Sequence, residues 1–273
     1  MSQNEAEKTM QSLRDFGGYY QGQLDILRQL TMAALPLKNG ERLNGIYPLL
    51  DSINTSGYST DMLIRSGLIT EAFILARAFL ERLVNACYLL VCDRSAFDDY
   101  IEFSMQKVQR SFDTRRTAYE AIGKEVPGVD VSSIPVVARG LEKFTSQRGK
   151  EITRWTTLNI ERRIEYIKER NETFKAGLFL AVTRYIYEDA SEAVHGTLYG
   201  ALFHTGIFVG AHNPEIGEKY LNSTRRVLYM LLGLLVDGLV QVASKEVETE
   251  MLKTHSTNNF KTLQQYFEKK TET

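Results

Sequence analysis

The chain has 273 residues, 43% of them hydrophobic, which is enough to build a substantial core and too much for a disordered chain. Its 33 basic and 34 acidic residues leave a net charge of -1, so no global field draws it to nucleic acid or an anionic membrane, and any such attraction must be local. The two cysteines, Cys87 and Cys92, lie in or at the end of one apolar stretch, which excludes a disulfide framework and suits buried thiols in a reducing compartment.

Five prolines, few turn residues and apolar positions recurring at three and four residues argue helix throughout, and no long segment alternates with period two. The expected fold is all-α, an up-and-down bundle of about seven to nine helices around two central buried ones. Residues 1–252 are expected to form a single domain, with 253–273 a polar tail or peripheral helix. The N-terminus is polar and has neither a basic nor an apolar leader region, so the expected location is cytoplasmic.

In chain order, a first helix is predicted over 4–34, closed by Pro36 and Lys38-Asn39-Gly40, and a second over 47–65 with a break near Ser56-Gly57. The segment 68–92 is apolar on nearly every face and reads as the first central helix. A more polar helix over 96–122 precedes a loop, 123–135, in which Pro127, Gly128 and Pro135 fall close together. A short helix is expected over 136–146, and one over 160–170 with Thr156 or Asn159 as its cap and Glu161 in its first turn. The second central helix is predicted over 173–208, followed by a turn over 210–217 and a closing helix over 218–252. Within that closing helix the apolar run of 227–242 is interrupted by Asp237 and Gln241, which favours a core helix over a membrane span.

Each central helix carries a polar stripe. Arg77, Glu81 and Asn85 are spaced at four residues, with Tyr88 close to the same line, and Arg184, Tyr187, Ser191 and His195 form a comparable line on the other helix. Buried ionisable groups are costly unless paired, so the two stripes are expected to face each other, with Arg77 and Glu81 bonding across to Tyr187, Ser191 and His195. The plainer reading is a network that fixes helix register. The functional reading is a pocket in which Arg77 binds an anionic group and His195 acts as acid, base or ligand, with Glu81, Tyr187 and Ser191 completing the candidate catalytic set.

Competing chemistries lack their motifs. Ser191 and His195 are one turn apart, yet no nucleophile elbow accompanies them. Glu192 and His195 form the one Glu-x-x-His, where a di-iron bundle needs two, so no metal is expected. No phosphate-binding glycine loop is present, and no cofactor is expected.

Residues 139–170 hold nine basic side chains against five glutamates, and Trp155 lies among them. Arg115, Arg116, Arg154, Arg162 and Arg163 are the candidate phosphate or RNA contacts, with Trp155 as a conceivable stacking platform. A solvated helix face, with pairs such as Arg162 and Glu165, is the blander account.

Three motifs in combination, Arg77-x-x-x-Glu81 on an apolar helix, Trp155 ahead of Ile160-Glu-Arg-Arg, and Tyr187-x-x-x-Ser191-x-x-x-His195, resemble an uncharacterised bacterial helical family, domain of unknown function 5677, over about residues 50–245. The resemblance implies a helical bundle and brings no assigned activity. It extends distantly to the higher-eukaryote and prokaryote nucleotide-binding (HEPN-like) bundles, many of them ribonucleases of phage-defence and toxin systems. Those carry an arginine separated from the histidine by four to six intervening residues. Here the three positions are Glu188, Asp189 and Ala190. The leading expectation is therefore a self-associating protein-interaction module of a stress or antiviral defence system. A metal-independent ribonuclease using Arg77 and His195 is the alternative, and a small-ligand or nucleotide sensor the third. The partners expected are a second copy of the chain or another protein, with RNA possible, and neither a membrane nor a specific DNA sequence.

Overall fold

A computed structural model describes residues 3–35, 42–125, 128–196, 213–244, 252 and 254–261. Nine helices carry labels among them: α1 Gln3–Ala34, α2 Arg42–Gly45, α3 Tyr47–Arg65, α4 Ile69–Val91, α5 Arg94–Ala121, α6 Pro135–Lys143, α7 Ile160–Arg170, α8 Ala176–Val194 and α9 Pro214–Ala243. Residues 254–261 are also helical, and no β-strand occurs among the described residues beyond one isolated bridge between Thr145 and Glu151. The all-α bundle expected from the periodicity is the observed architecture.

Contacts gather the chain into two compact units, Met1–Val91 with Ile160–Thr273, and Cys92–Asn159. The sequence reading drew one bundle over 1–252. The chain leaves the larger unit after α4 and re-enters it at α7.

In the larger unit α4 is the central helix, with α3, α7, α8 and α9 packed on it and α1 packed on α3 and α9. Its run from Phe79 to Leu90 explains the position, since Phe79, Leu80, Leu83, Val84, Ala86, Cys87 and Leu89 cover well over half of the way round the helix and all are fully buried. Cys87 and Cys92 are both buried free thiols. Helix α3 runs unbroken through Ser56-Gly57. Gly57 is where helices come close, because a Cβ there would lie 2.5 Å from Leu24 Cδ2 and 3.1 Å from Phe79 Cε2.

The second central helix is shorter than expected. α8 ends at Val194, with Gly196 at φ +60 just beyond, a left-handed conformation that closes helices. The rest of the predicted 173–208 helix, from Thr197 on, lies outside the described residues, as does most of the predicted 210–217 turn. α9 begins earlier than expected, at Pro214. Proline is well suited to a first helical position, and the Asn213 side chain accepts hydrogen bonds from the backbone N–H groups of Glu215 (3.1 Å) and Ile216 (3.3 Å). α9 is long and apolar enough to cross a membrane, and 61% of its most apolar window is buried inside the protein against α1 and α4. That burial is the pattern of a core helix.

In the smaller unit α6 packs on α5. Gly140 allows the approach, since a Cβ there would stand 2.3 Å from the Glu102 carbonyl oxygen. Lys143 pairs with Asp99, Arg139 with Glu102 at 2.8 Å, and Arg110 donates to Thr145 Oγ1 at 2.6 Å. Trp155 packs edge-on against Tyr100, ring centroids 5.2 Å apart, and so acts as a packing anchor.

Candidate functional site

The polar stripe of α4 is built as its four-residue spacing predicts. Arg77 Nε lies 3.1 Å from Glu81 Oε1, one turn on, and Tyr187 of α8 donates its hydroxyl hydrogen to that same carboxylate oxygen. The Arg77 guanidinium also lies over the Tyr187 ring, 4.3 Å from its centroid. One turn further along α4, Asn85 Oδ1 accepts from Arg163 of α7. Tyr88 then packs on Tyr166 of α7 at 5.0 Å, and the Arg170 guanidinium covers the Tyr166 ring at 3.5 Å. The result is a ladder up one face of α4 in which guanidinium groups and phenol rings from α7 and α8 alternate.

The ladder is not sealed in the core. The Arg77 and Glu81 side chains are 32% and 42% exposed. Tyr187, Arg163 and Asn85 are half-buried. Its electrostatics follow from that partial burial. The Tyr187 phenol is pushed well above the ordinary tyrosine range, first by burial, then by its hydrogen bond to Glu81 and the charge there, so it holds its proton and serves as a donor. Burial lowers Arg163, against the fields of Tyr187, Glu81 and Tyr88. For Arg77 burial also acts downward, but the bond to Glu81 and its charge outweigh it and the net direction is up.

The structure thus brings Arg77, Glu81 and Tyr187 together and adds Asn85 and Arg163. It does not bring in the rest of the predicted α8 line. Arg184 and His195 are exposed, and Val194 next to His195 is 55% exposed. The reason lies in the buried face of α8, formed by Phe179, Val182, Thr183, Ile186 and Ala190. Tyr187 borders that face, whereas positions 184 and 188 turn away from it. Ser191 is half-buried, and its backbone carbonyl accepts from the His195 N–H at 3.0 Å where that residue caps the helix. His195 is eight residues beyond Tyr187, about 12 Å along the axis. Among the described residues no hydrogen bond joins the Ser191 hydroxyl or the His195 ring to the ladder. The expected bonding of His195 across to Arg77 and Glu81 is therefore corrected, and the triad that holds is Arg77, Glu81 and Tyr187.

The candidate phosphate contacts divide between the units. Arg115 and Arg154 are exposed, and Arg116 pairs with Asp113 at 3.0 Å, all in the smaller unit. In the larger unit Arg162 reaches Glu165 at 3.5 Å, while Arg163, its neighbour, turns inward to the ladder.

Residues 44–210, more than half of the chain, match the sequence profile described as a family of unknown function, DUF5677. The chain belongs to DUF5677. The matched segment contains α3, α4, α7 and α8, and with them every residue of the ladder. No curated protein and no solved structure matches the chain. Among the described residues of this DUF5677 chain, no three His, Cys, Asp or Glu side chains are grouped closely enough to hold a metal ion.

Sequence reasoning missed a second polar constellation on the α3 side of the larger unit. The Asp61 carboxylate, only 5% exposed, accepts from Gln21 Nε2 at 2.7 Å and from Arg65 Nε at 2.9 Å. Burial first, then the Asp61 charge, raises Tyr229 of α9 beside it. The four-residue spacing of Asp61 and Arg65 was the available signal. Nothing in the sequence announced that Gln21 and Tyr229 would meet them.

Proposed function

We propose that this chain is a non-catalytic helical binding module in which the Arg77–Glu81–Tyr187–Arg163 ladder receives an anionic, phosphate-bearing ligand. The observation that carries the reading is that Arg77 on Glu81 and Arg163 of α7 on Asn85, with their acceptors one turn apart along α4, stand on one part-exposed face. Arginine forks suit phosphate oxygens, and the Tyr187 phenol adds a donor that keeps its proton at neutral pH. Such a site offers binding and orientation. General acid–base work would fall to His195, which stands on the exposed end of α8.

Self-association completes the proposal. Met62, Leu68 and Ile74, exposed around the α3–α4 turn, are large apolar side chains of the kind that favour contact with another protein surface. A stress or phage-defence setting, and a HEPN-like relationship, rest on the family resemblance alone.

The test is titration of the purified chain with inorganic phosphate, mononucleotides and short single-stranded RNA, followed by thermal shift and by light scattering for oligomeric state. Binding that raises the melting temperature of the wild type and is lost in both Arg77→Ala and Arg163→Ala supports the reading. RNA cleavage by the wild type that disappears in His195→Ala would replace it with the ribonuclease alternative.

A further inference from the structure

Arginines also meet a concave surface away from the ladder. It is a cleft of about 340 Å³ bounded by α1, α3 and α9, with no part in the ladder. Its walls are apolar, formed by Met10 and Leu13 of α1, Ile64 of α3 and the Tyr229 ring of α9. At its polar edge are Arg14 and Arg65.

We infer that this cleft binds a small amphipathic anion, with its apolar body between α1 and α9 and its carboxylate at Arg14 and Arg65. Three independent features carry the inference. The first is size, since the cleft falls at the lower end of the range of small-molecule sites, and its mostly apolar wall with a few convergent polar groups is their usual make-up.

The second is charge. Arg65 is held in place through Nε by the buried Asp61 and is also hydrogen-bonded to Tyr229, which fixes its part-exposed guanidinium at the edge of the cleft. On its own helix Arg14 has Met10, Gly17 and Gly18 as its neighbours a turn away, and the adjacent Asp15 is engaged by Gln11 at 2.9 Å. Arg14 thus has no acidic side chain three or four residues away on α1.

The third is the Gly17-Gly18 pair in the middle of α1. Glycine is unfavourable in a helix interior and survives there where something needs the space. For Gly17 the neighbour is Tyr229, whose ring would stand 3.6 Å from an added Cβ, an ordinary contact. For Gly18, among the described residues, nothing beyond its own helix lies within 4 Å. The gap left by Gly18 opens into the cleft, where the body of a ligand would lie.

The experiment uses the full chain with three probes, namely decanoate, decanol and acetate, read by titration calorimetry below the micelle concentration. Decanoate is expected to bind at one site with micromolar affinity, decanol at least tenfold more weakly for lack of the carboxylate, and acetate not measurably. Gly18→Leu should abolish decanoate binding while the protein stays folded, because leucine is the better helix former and meets only open space. Arg14→Ala should weaken binding about tenfold and remove the preference for decanoate over decanol. Equal binding of decanoate and decanol would overturn the inference. So would a folded Gly18→Leu protein that binds decanoate as the wild type does, or no decanoate binding at all. Phosphate and RNA binding at the ladder should be unchanged in Gly18→Leu, so the two sites fail or succeed separately.

Discussion

Tyr187→Phe tests whether the ladder holds α8 to α4. The change removes the hydroxyl that donates to Glu81 and leaves the ring on which Arg77 lies. A hydrogen bond to a charged acceptor contributes about 1.5–3 kcal/mol when buried. The Glu81 side chain is 42% exposed, so water replaces part of the lost bond and the loss should be about 1 kcal/mol. The pairing is best isolated by a double-mutant cycle of Tyr187→Phe with Glu81→Ala, measured by urea unfolding at pH 7. The expected coupling is about 1 kcal/mol, because each single change already removes the shared bond. A third variant, Arg77→Ala, should lose about 1 kcal/mol through an exposed ion pair and a cation–π contact, and part of that loss should vanish in the Glu81→Ala background. A Tyr187–Glu81 coupling within about 0.3 kcal/mol of zero would refute the reasoning, since independent sites add to that accuracy.

Three further outcomes are expected. Gly238→Ala should destabilise by about 1–2 kcal/mol in thermal or urea unfolding: its Cβ would press to 2.4 Å from the Phe179 ring, which Phe174 backs at 4.5 Å, and overpacking of that kind outweighs the gain in helix propensity. Alkaline titration followed by phenolate absorbance should leave Tyr187, Tyr229 and Tyr20 un-ionised in the folded protein well past pH 10. Their folded values are raised, so the stability they contribute is complete below the unfolded pKa near 10 and is lost as the pH rises above it, and their ionisation should coincide with unfolding. Cys87 and Cys92 should react with a thiol reagent only after denaturant is added, burial having also pushed the Cys87 thiol far up.

Much of the core was legible because composition and period agreed. A segment apolar on nearly every face has to be packed on most of its sides, and α4 is; an Arg and a Glu four residues apart on it had to be neighbours, and they are. Tyr187 was found by the same spacing on α8. The position of His195 was not, because side chains four apart drift round a helix, and eight residues past Tyr187 the line has left the packed face. Arg163 was counted among surface charges, since its helix carries charges on several faces and only the packing of α7 on α4 shows which of them turns inward. Pro214 was read as a turn residue, but with Asn213 before it the same proline opens a helix.

The interruption of the larger unit between Val91 and Ile160 gives the fold the logic of host and guest. The pairings of Asn85 with Arg163 and Tyr88 with Tyr166 advance together, so α7 runs in the same direction as α4, and its first turn lies roughly two turns back from the end of α4. With packed helix axes about 9 Å apart, a linker has about 16 Å to cover there, within reach of six to eight residues. The expected outcome is that a chain in which a short Gly-Ser strap replaces residues 92–159 still melts cooperatively by circular dichroism, and whatever the excised piece contributes can then be read from what that shortened protein no longer does.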